Sequence, residues 1–201
     1  MKWATEKDLR LFILDSLATI EKRLPDGVRI DAERIAVAGH SYGAITAQMI
    51  AGMEYVLPRG RKISFPDKRP KCFVIISPQG TGKALTEDSY AKMTRPMLMM
   101  TGDNDGTPYG DGKGPWRREA FDHAPAGNAW LLWIKNAHHA FGGIAGPIRF
   151  RGGGDNDPAQ VQLVQSMSLA FFDQQLKQIE DARPWFADDT LRDATDRKSV
   201  V

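Results

Sequence analysis

Residues 39–43 read Gly39-His40-Ser41-Tyr42-Gly43, a G-x-S-x-G pentapeptide. A serine hydroxyl is a weak nucleophile at neutral pH and needs a base within hydrogen-bond reach. Imidazole is the suitable side chain, because its unperturbed pKa of about 6.5 lies near working pH. A buried carboxylate then fixes the tautomer of that imidazole and stabilises its protonated form. The chain offers both groups further on. Thr101-Gly102-Asp103-Asn104-Asp105 brings the acid, and Ala137-His138-His139-Ala140-Phe141 brings the base. The order Ser, Asp, His, with each group just after an apolar run, suits acyl transfer through a covalent intermediate.

Two choices stay open on the residues alone. Asp103 directly follows Gly102 and suits backbone N–H bonds in a turn, whereas Asp105 lies further round the loop and is the favoured acid. His138 and His139 are adjacent, so they cannot point the same way. His139 is the favoured base, and His138 is read as a polar loop residue or a donor behind it. His40 is expected to pack under the serine turn, and His123 to be exposed on a helix. Taken alone, the pentapeptide is also what a tight turn with a capping serine looks like.

Its setting argues for more. Arg34-Ile35-Ala36-Val37-Ala38 reads as a strand, and Ala44 to Ala51 as a buried helix. Strand, sharp turn and helix would hold Ser41 in a strained backbone geometry, with Gly39 and Gly43 leaving room where a Cβ would collide. Backbone N–H groups at the start of that helix could stabilise an oxyanion. Further strands are predicted over 71–77, 96–101 and 129–134. Helical segments are predicted over 86–93, 116–123 and 159–179. An earlier amphipathic helix starts near Thr5-Glu6-Lys7-Asp8, continues through Leu9, Phe12, Ile13, Leu17, Ile20 and Leu24, and ends at Pro25-Asp26-Gly27. Residues 57–70 read as a loop whose Arg59, Arg61, Lys62 and Lys68 are solvated. Alternating strands and helices predict an α/β fold with a mostly parallel sheet, whose active groups collect beyond the carboxyl ends of the strands.

The 201 residues suffice for one domain with a real core. The expected division is a single domain over 1–187 and a charged, disordered tail over 188–201. A formal charge of +2 argues against nucleic acid as a partner. No run is long and apolar enough for a membrane span, and residues 1–15 do not form a signal peptide. The single cysteine, Cys72, rules out an internal disulfide and reads as a buried small hydrophobe. No cofactor or metal is expected. Gln79-Gly80-Thr81-Gly82-Lys83-Ala84 resembles a phosphate loop but has Ala84 where a hydroxyl must hold magnesium. Asp103, Asp105 and Asp111 miss the spacing of a calcium loop, and His138-His139 is not an i, i+4 zinc pair. Neither compartment nor oligomeric state is encoded in any motif.

Together, Gly-His-Ser-Tyr-Gly-Ala at 39–44, Ser77-Pro78-Gln79-Gly80, the 101–105 segment and the 137–141 segment resemble the α/β-hydrolase superfamily. The nearest flavour is the dienelactone hydrolase and platelet-activating-factor acetylhydrolase-like group, with chlorophyllase-type esterases. The resemblance covers roughly residues 5–180. It implies Ser41 as nucleophile, Asp105 of the G-x-x-D turn as acid, His139 two residues before Phe141 as base, and the Tyr42 N–H as first oxyanion donor. It also implies a small-molecule ester as substrate, with an amide or thioester as the variant chemistry and a non-catalytic binding protein or inert fragment as the opposing reading. Trp116, Tyr109, Phe141 and Trp133 are candidate acyl-pocket residues, although ordinary core and rim positions explain them better. Such hydrolases usually have eight strands and a substantial stretch before the serine turn, whereas here 40 residues precede Ser41. The expectation is therefore an N-terminally truncated fold with about four strands, an exposed apolar edge on the Ser41 strand, and weak or absent activity beside an active parent esterase. Any export signal would then have been in the missing part.

Overall fold

A computed structural model describes residues 12–106, 114–146 and 153–186, apart from the side chains of Arg183 and Trp185. Its centre is a four-stranded, all-parallel sheet of β1 (Ile35–His40), β4 (Pro70–Ile76), β5 (Met97–Asn104) and β6 (Ala129–His138), in the order β1-β4-β5-β6. Parallel strands need crossovers, and helices supply most of them. Helix α2 (Tyr42–Ala51) follows β1, α3 (Gly114–Asp122) lies between β5 and β6, and α4 (Pro158–Lys177) follows β6. A 3-10 turn at Glu87–Tyr90 stands where a longer helical segment over 86–93 is predicted. The register runs Val37 beside Phe73, Phe73 beside Met97, and Met97 beside Ala129, so the strands end on one side.

Alternation along the strands splits the core in two. On one face Val37, Phe73, Ile75, Met97, Met99 and Leu131 meet Ala44, Ala47 and Ile50 of α2 and Ala120 of α3. On the other, Cys72, Val74, Leu98, Met100, Leu132 and Ile134 meet Val164, Met167 and Phe171 of α4 and Phe186 of the closing 3-10 turn Glu180–Phe186. Both faces of β4 and β5 are covered, which is why residues 72–76 and 97–100 are apolar throughout. Cys72 is buried, and burial pushes its thiol up to about 12, so it behaves as a small hydrophobe. Helix α4 starts where Asp157 accepts hydrogen bonds from the N–H groups of Ala159 and Gln160, with Pro158 in its first turn.

Three expectations need correction. The first helix is interrupted and ends early: residues 12–15 are helical, Ser16 breaks the run, and α1 (Leu17–Glu21), which buries no residue, stops short of Leu24. Phe12 and Ile13 are 61% and 62% exposed, because nothing among the described residues covers that face. Its start at Thr5 to Leu9 lies outside the described residues, as does the tail beyond Phe186. The 57–70 loop is also partly ordered: β2 (Tyr55–Val56) pairs antiparallel with β3 (Lys62–Ile63) around a 3-10 turn at Pro58–Gly60. Finally, β6 continues four residues beyond Ile134 to His138. The period-two pattern fades there because Lys135 and Asn136 face solvent at the sheet's rim.

Among the described residues, β1 is the edge of the sheet next to β4. The turn after it is tight for a stated reason. A Cβ on Gly39 would stand 2.1 Å from the Gly43 carbonyl oxygen, far inside van der Waals contact. Gly43 differs from expectation: a Cβ there would meet no described atom within 4 Å. Only the first glycine of the pair is therefore demanded by the described packing. Gly39→Ala is predicted to destabilise the protein by about 2 kcal/mol or more, as overpacking against backbone does. Gly43→Ala is predicted to stay within about 1 kcal/mol of the parent. Urea unfolding of both variants checks this, and equal losses would contradict it.

Candidate active site

Ser41 stands between β1 and α2 with φ 58° and ψ −114°, a conformation that non-glycine residues rarely adopt. The chain reaches it at the end of β1, where the Ser41 N–H bonds to the Ile76 carbonyl of β4 at 3.1 Å. It leaves at once into α2, whose first free N–H groups belong to Tyr42, Gly43 and Ala44. The hydroxyl makes no capping bond to α2 and instead lies 2.9 Å from Nε2 of His139.

His139 follows β6 in the turn that Phe141 closes, with φ 46° and its N–H on the His138 carbonyl at 2.9 Å. The imidazole is buried. Its Nδ1 lies 2.7 Å from Oδ1 of Asp105, closer than it lies to Ser77 Oγ at 3.2 Å or Arg117 Nη2 at 3.3 Å. A carboxylate only accepts, so Nδ1 carries the proton, and Nε2 presents a lone pair to the Ser41 hydroxyl. Ser41, His139 and Asp105 thus form one hydrogen-bonded line, although 98 and 34 positions separate their neighbouring members.

Asp105 is fully buried. Its other oxygen, Oδ2, accepts from the Ser77 hydroxyl at 2.6 Å and the Thr101 hydroxyl at 2.9 Å. The Arg117 Nε lies 3.0 Å from Oδ1. Three of these partners, Ser77, Thr101 and Arg117, carry no role in the sequence reading. Thr101 is visible in principle, on the strand that leads into Asp105 and four residues before it, but Ser77 and Arg117 reach the acid only through the fold. Ser77 also lies 3.2 Å from Nδ1 of His139. Ser77 is itself 1% exposed, and its hydroxyl donates to the carboxylate.

The alternative residues are used elsewhere. Asp103 accepts from the Asn136 N–H at 2.6 Å and from Trp133 Nε1 at 2.9 Å, which pins the rim of β6 where Asn136 takes φ 59°. His138 ends β6 and rests on Gly154, where a Cβ would come within 2.5 Å of its own Cβ. His40 donates from Nε2 to the His139 carbonyl at 2.7 Å, and the two rings are 4.9 Å apart. It ties the serine turn to the histidine turn. His123, expected to be exposed, is half-buried and stacks on Tyr90. Phe141 is fully buried in the α4-side core, and Trp116 Nε1 donates to the Thr81 carbonyl. Tyr109 and Asp111 lie outside the described residues. The Tyr42 ring is 73% exposed, the largest apolar side chain standing free beside Ser41. Among the described residues, no group of three or more His, Cys, Asp or Glu side chains could hold a metal ion. No helix among them is long and apolar enough to cross a membrane.

No protein-family model matches the chain, and no curated protein matches it either. Solved structures do. A candidate dienelactone hydrolase from Klebsiella pneumoniae subsp. pneumoniae superposes with a TM-score of 0.55 at 15% identity, over 82% of this chain and 62% of that one. The AtxE2 isopeptidase with astexin3-dC4 bound superposes with a TM-score of 0.51 at 14% identity, over 96% of this chain and 28% of that one. The chain therefore spans less than two thirds of either structure. What it shares with them is the fold: four parallel strands flanked by helices, part of an α/β-hydrolase sheet.

Burial holds the His40 imidazole below its ordinary value of 6.5, and its bond to the His139 backbone opposes that shift more weakly. A histidine whose folded pKa is depressed takes up its proton more readily in the unfolded chain. Its contribution to stability is present above about 6.5 and is lost as pH falls through the folded value. His40→Gln is thus predicted to flatten the fall in Tm between about pH 6.5 and pH 5. Thermal melts across that range test it, and an unchanged slope would count against the assignment.

Proposed function

We propose that this part of an α/β-hydrolase fold carries a serine hydrolase site that cleaves a small carboxylic ester through an acyl-enzyme. The observation that supports this most is the unbroken line from the Ser41 hydroxyl through His139 to Asp105, at 2.9 and 2.7 Å, starting from a serine in a strained turn. Neither the likeness in fold nor the pentapeptide alone carries the reading, because one fold hosts many functions.

The proposed steps use that line of contacts. His139 Nε2 takes the proton as Ser41 Oγ attacks the ester carbonyl. The imidazolium is stabilised through Nδ1 by Asp105, which stays ionised. The tetrahedral oxyanion lies at the start of α2, where the Tyr42 N–H donates and the helix dipole adds favourable charge. His139 then returns its proton to the leaving alkoxide, and the acyl-enzyme forms. Water attacks that ester with His139 again as base, which regenerates Ser41. No metal or organic cofactor enters any of these steps. An amide or a thioester would use the same three residues, and only the leaving group that His139 protonates would differ. The Tyr42 ring, exposed beside the nucleophile, is the first side chain an incoming acyl group would meet.

The test is labelling by a fluorophosphonate, which phosphonylates an activated serine. The chain is expected to incorporate one label, on Ser41, and Ser41→Ala to incorporate none. Hydrolysis of short p-nitrophenyl esters should fall in Asp105→Asn by about 10⁴ in kcat, as it does when a triad loses the correct tautomer. Labelling that survives in Ser41→Ala would dismiss the nucleophile. A folded chain that neither labels nor turns over ester would favour a non-catalytic or incomplete domain.

A further inference from the structure

Arg117 is a buried cation in the middle of a short helix, and the sequence gives no hint of its purpose. Its side chain is 4% exposed. Burying a guanidinium is costly unless it is both paired and hydrogen-bonded. Here every arm is used. Nε donates to the Asp105 carbonyl at 2.9 Å and lies 3.0 Å from its carboxylate. Nη1 donates to the Ser77 and Pro78 carbonyls at 3.1 Å each. Nη2 donates to the Gly106 carbonyl at 2.9 Å. One side chain therefore joins the loop after β4 to the loop after β5. It also brings positive charge to the acid through Nε, 3.0 Å from Oδ1, and to the imidazole through Nη2, 3.3 Å from His139 Nδ1.

The backbone is built to bring it there. A Cβ on Gly114 would stand 1.8 Å from the Gly102 carbonyl oxygen, so the start of α3 lies directly on β5. A Cβ on Gly80 would stand 2.0 Å from the Trp116 carbonyl oxygen, so the loop after β4 lies directly on α3. Glu119, one turn away, accepts from the Thr81 N–H and hydroxyl and fastens the same loop. A purely structural clasp needs only the carbonyls. Placing the cation on the carboxylate and beside the imidazole does something further.

We propose that Arg117 is a positioning residue that offsets the Asp105 charge, so that His139 rests as a neutral base. The inference rests on the triad reading above. A lone buried carboxylate 2.7 Å from Nδ1 favours the imidazolium at rest, and an imidazolium cannot accept the Ser41 proton. With Arg117 in place the acid and the cation form a neutral pair. Asp105 still receives the Nδ1 proton in one fixed direction and still stabilises the imidazolium once it forms. Nδ1 already donates to Asp105, so it cannot also accept from Nη2, and the 3.3 Å approach acts through charge. Among the described residues, the other charged or titratable groups near His139 have contacts of their own. His40 from β1 touches its carbonyl, Asp103 of β5 is engaged by Asn136 and Trp133, Glu119 of α3 faces Thr81, and His138 rests on Gly154. Burial lowers the Arg117 pKa and the Asp105 charge opposes that shift, so the guanidinium remains a cation.

The experiment follows the second-order rate of Ser41 labelling by a fluorophosphonate against pH. It compares the full chain with Arg117→Gln, Arg117→Met and Arg117→Lys, each first checked for a cooperative melt. In the two neutral variants the acid limb is expected to move to higher pH by about one unit, the usual size of a neighbouring-charge effect. In Arg117→Lys the charge survives without the fork, so the limb should stay in place. The plateau rate should there fall by about 100-fold, as a mis-set reacting geometry does. A limb that stays in place in the neutral variants overturns the proposal, and so does a limb that moves equally in Arg117→Lys. If neither neutral variant folds, Arg117 is a structural clasp and the proposal is likewise overturned. Absence of Ser41 labelling in the parent at every pH instead removes the triad reading itself, which keeps the two failures distinct.

Discussion

Asp105 holds a carboxylate wholly out of water, and much of the surrounding architecture is arranged around the cost of keeping it there. An isolated buried anion costs several kcal/mol even after relaxation. The protein meets that cost with the Ser77 and Thr101 hydroxyls, the His139 Nδ1–H and the Arg117 guanidinium. They come from β5 itself, from the loops after β4 and β6, and from α3. No one segment could assemble them. The carboxylate thus acts as a tie between strands, and its chemistry cannot be separated from the packing of the sheet.

The same constraint explains the distribution of strain and close approach. Ser41, Ser77, Asn136 and Phe141 all have positive φ although none is glycine. All four lie just after a strand or at its rim, where the backbone must turn sharply to aim a side chain across the sheet's carboxyl edge. Such conformations cost of order 1–3 kcal/mol each and persist only when the surroundings over-determine them. Here they do. Ser77 is held through its N–H on the Met100 carbonyl, and Asn136 through its N–H on Asp103. The glycines at 39, 80, 102 and 114 mark where backbone meets backbone with no room for a Cβ. They allow the serine turn, the β4 loop and α3 to close on the same small region.

Much of this was readable from the chain, and the reasons differ by residue. The G-x-S-x-G turn was legible because a strained strand-to-helix corner restricts its first glycine. The strands were legible because a parallel sheet covered on both faces is apolar at nearly every position. The placement of Asp105 and His139 at one edge of the sheet was legible because each directly follows a strand, and parallel strands end on the same side. Arg117 was not legible. Its neighbours Trp116, Arg118 and Glu119 read as an ordinary polar helix, and a buried arginine has the same letter as a solvated one. Ser77 was quoted only as part of a resemblance. The β2–β3 hairpin was missed because two-residue strands carry no measurable period.

The amino-acid sequence by itself determined the local grammar: where strands alternate with helices, where the chain must turn, and which few residues could serve as nucleophile, acid and base. Those properties depend on neighbours within a few positions, so they are written in one dimension. The tertiary structure alone decided which histidine faces Ser41, which aspartate meets that histidine, and that a guanidinium from α3 lies on the acid. These depend on the register of four strands and on the seating of a helix against bare backbone. They are three-dimensional distances, set by packing, between residues that are remote along the chain.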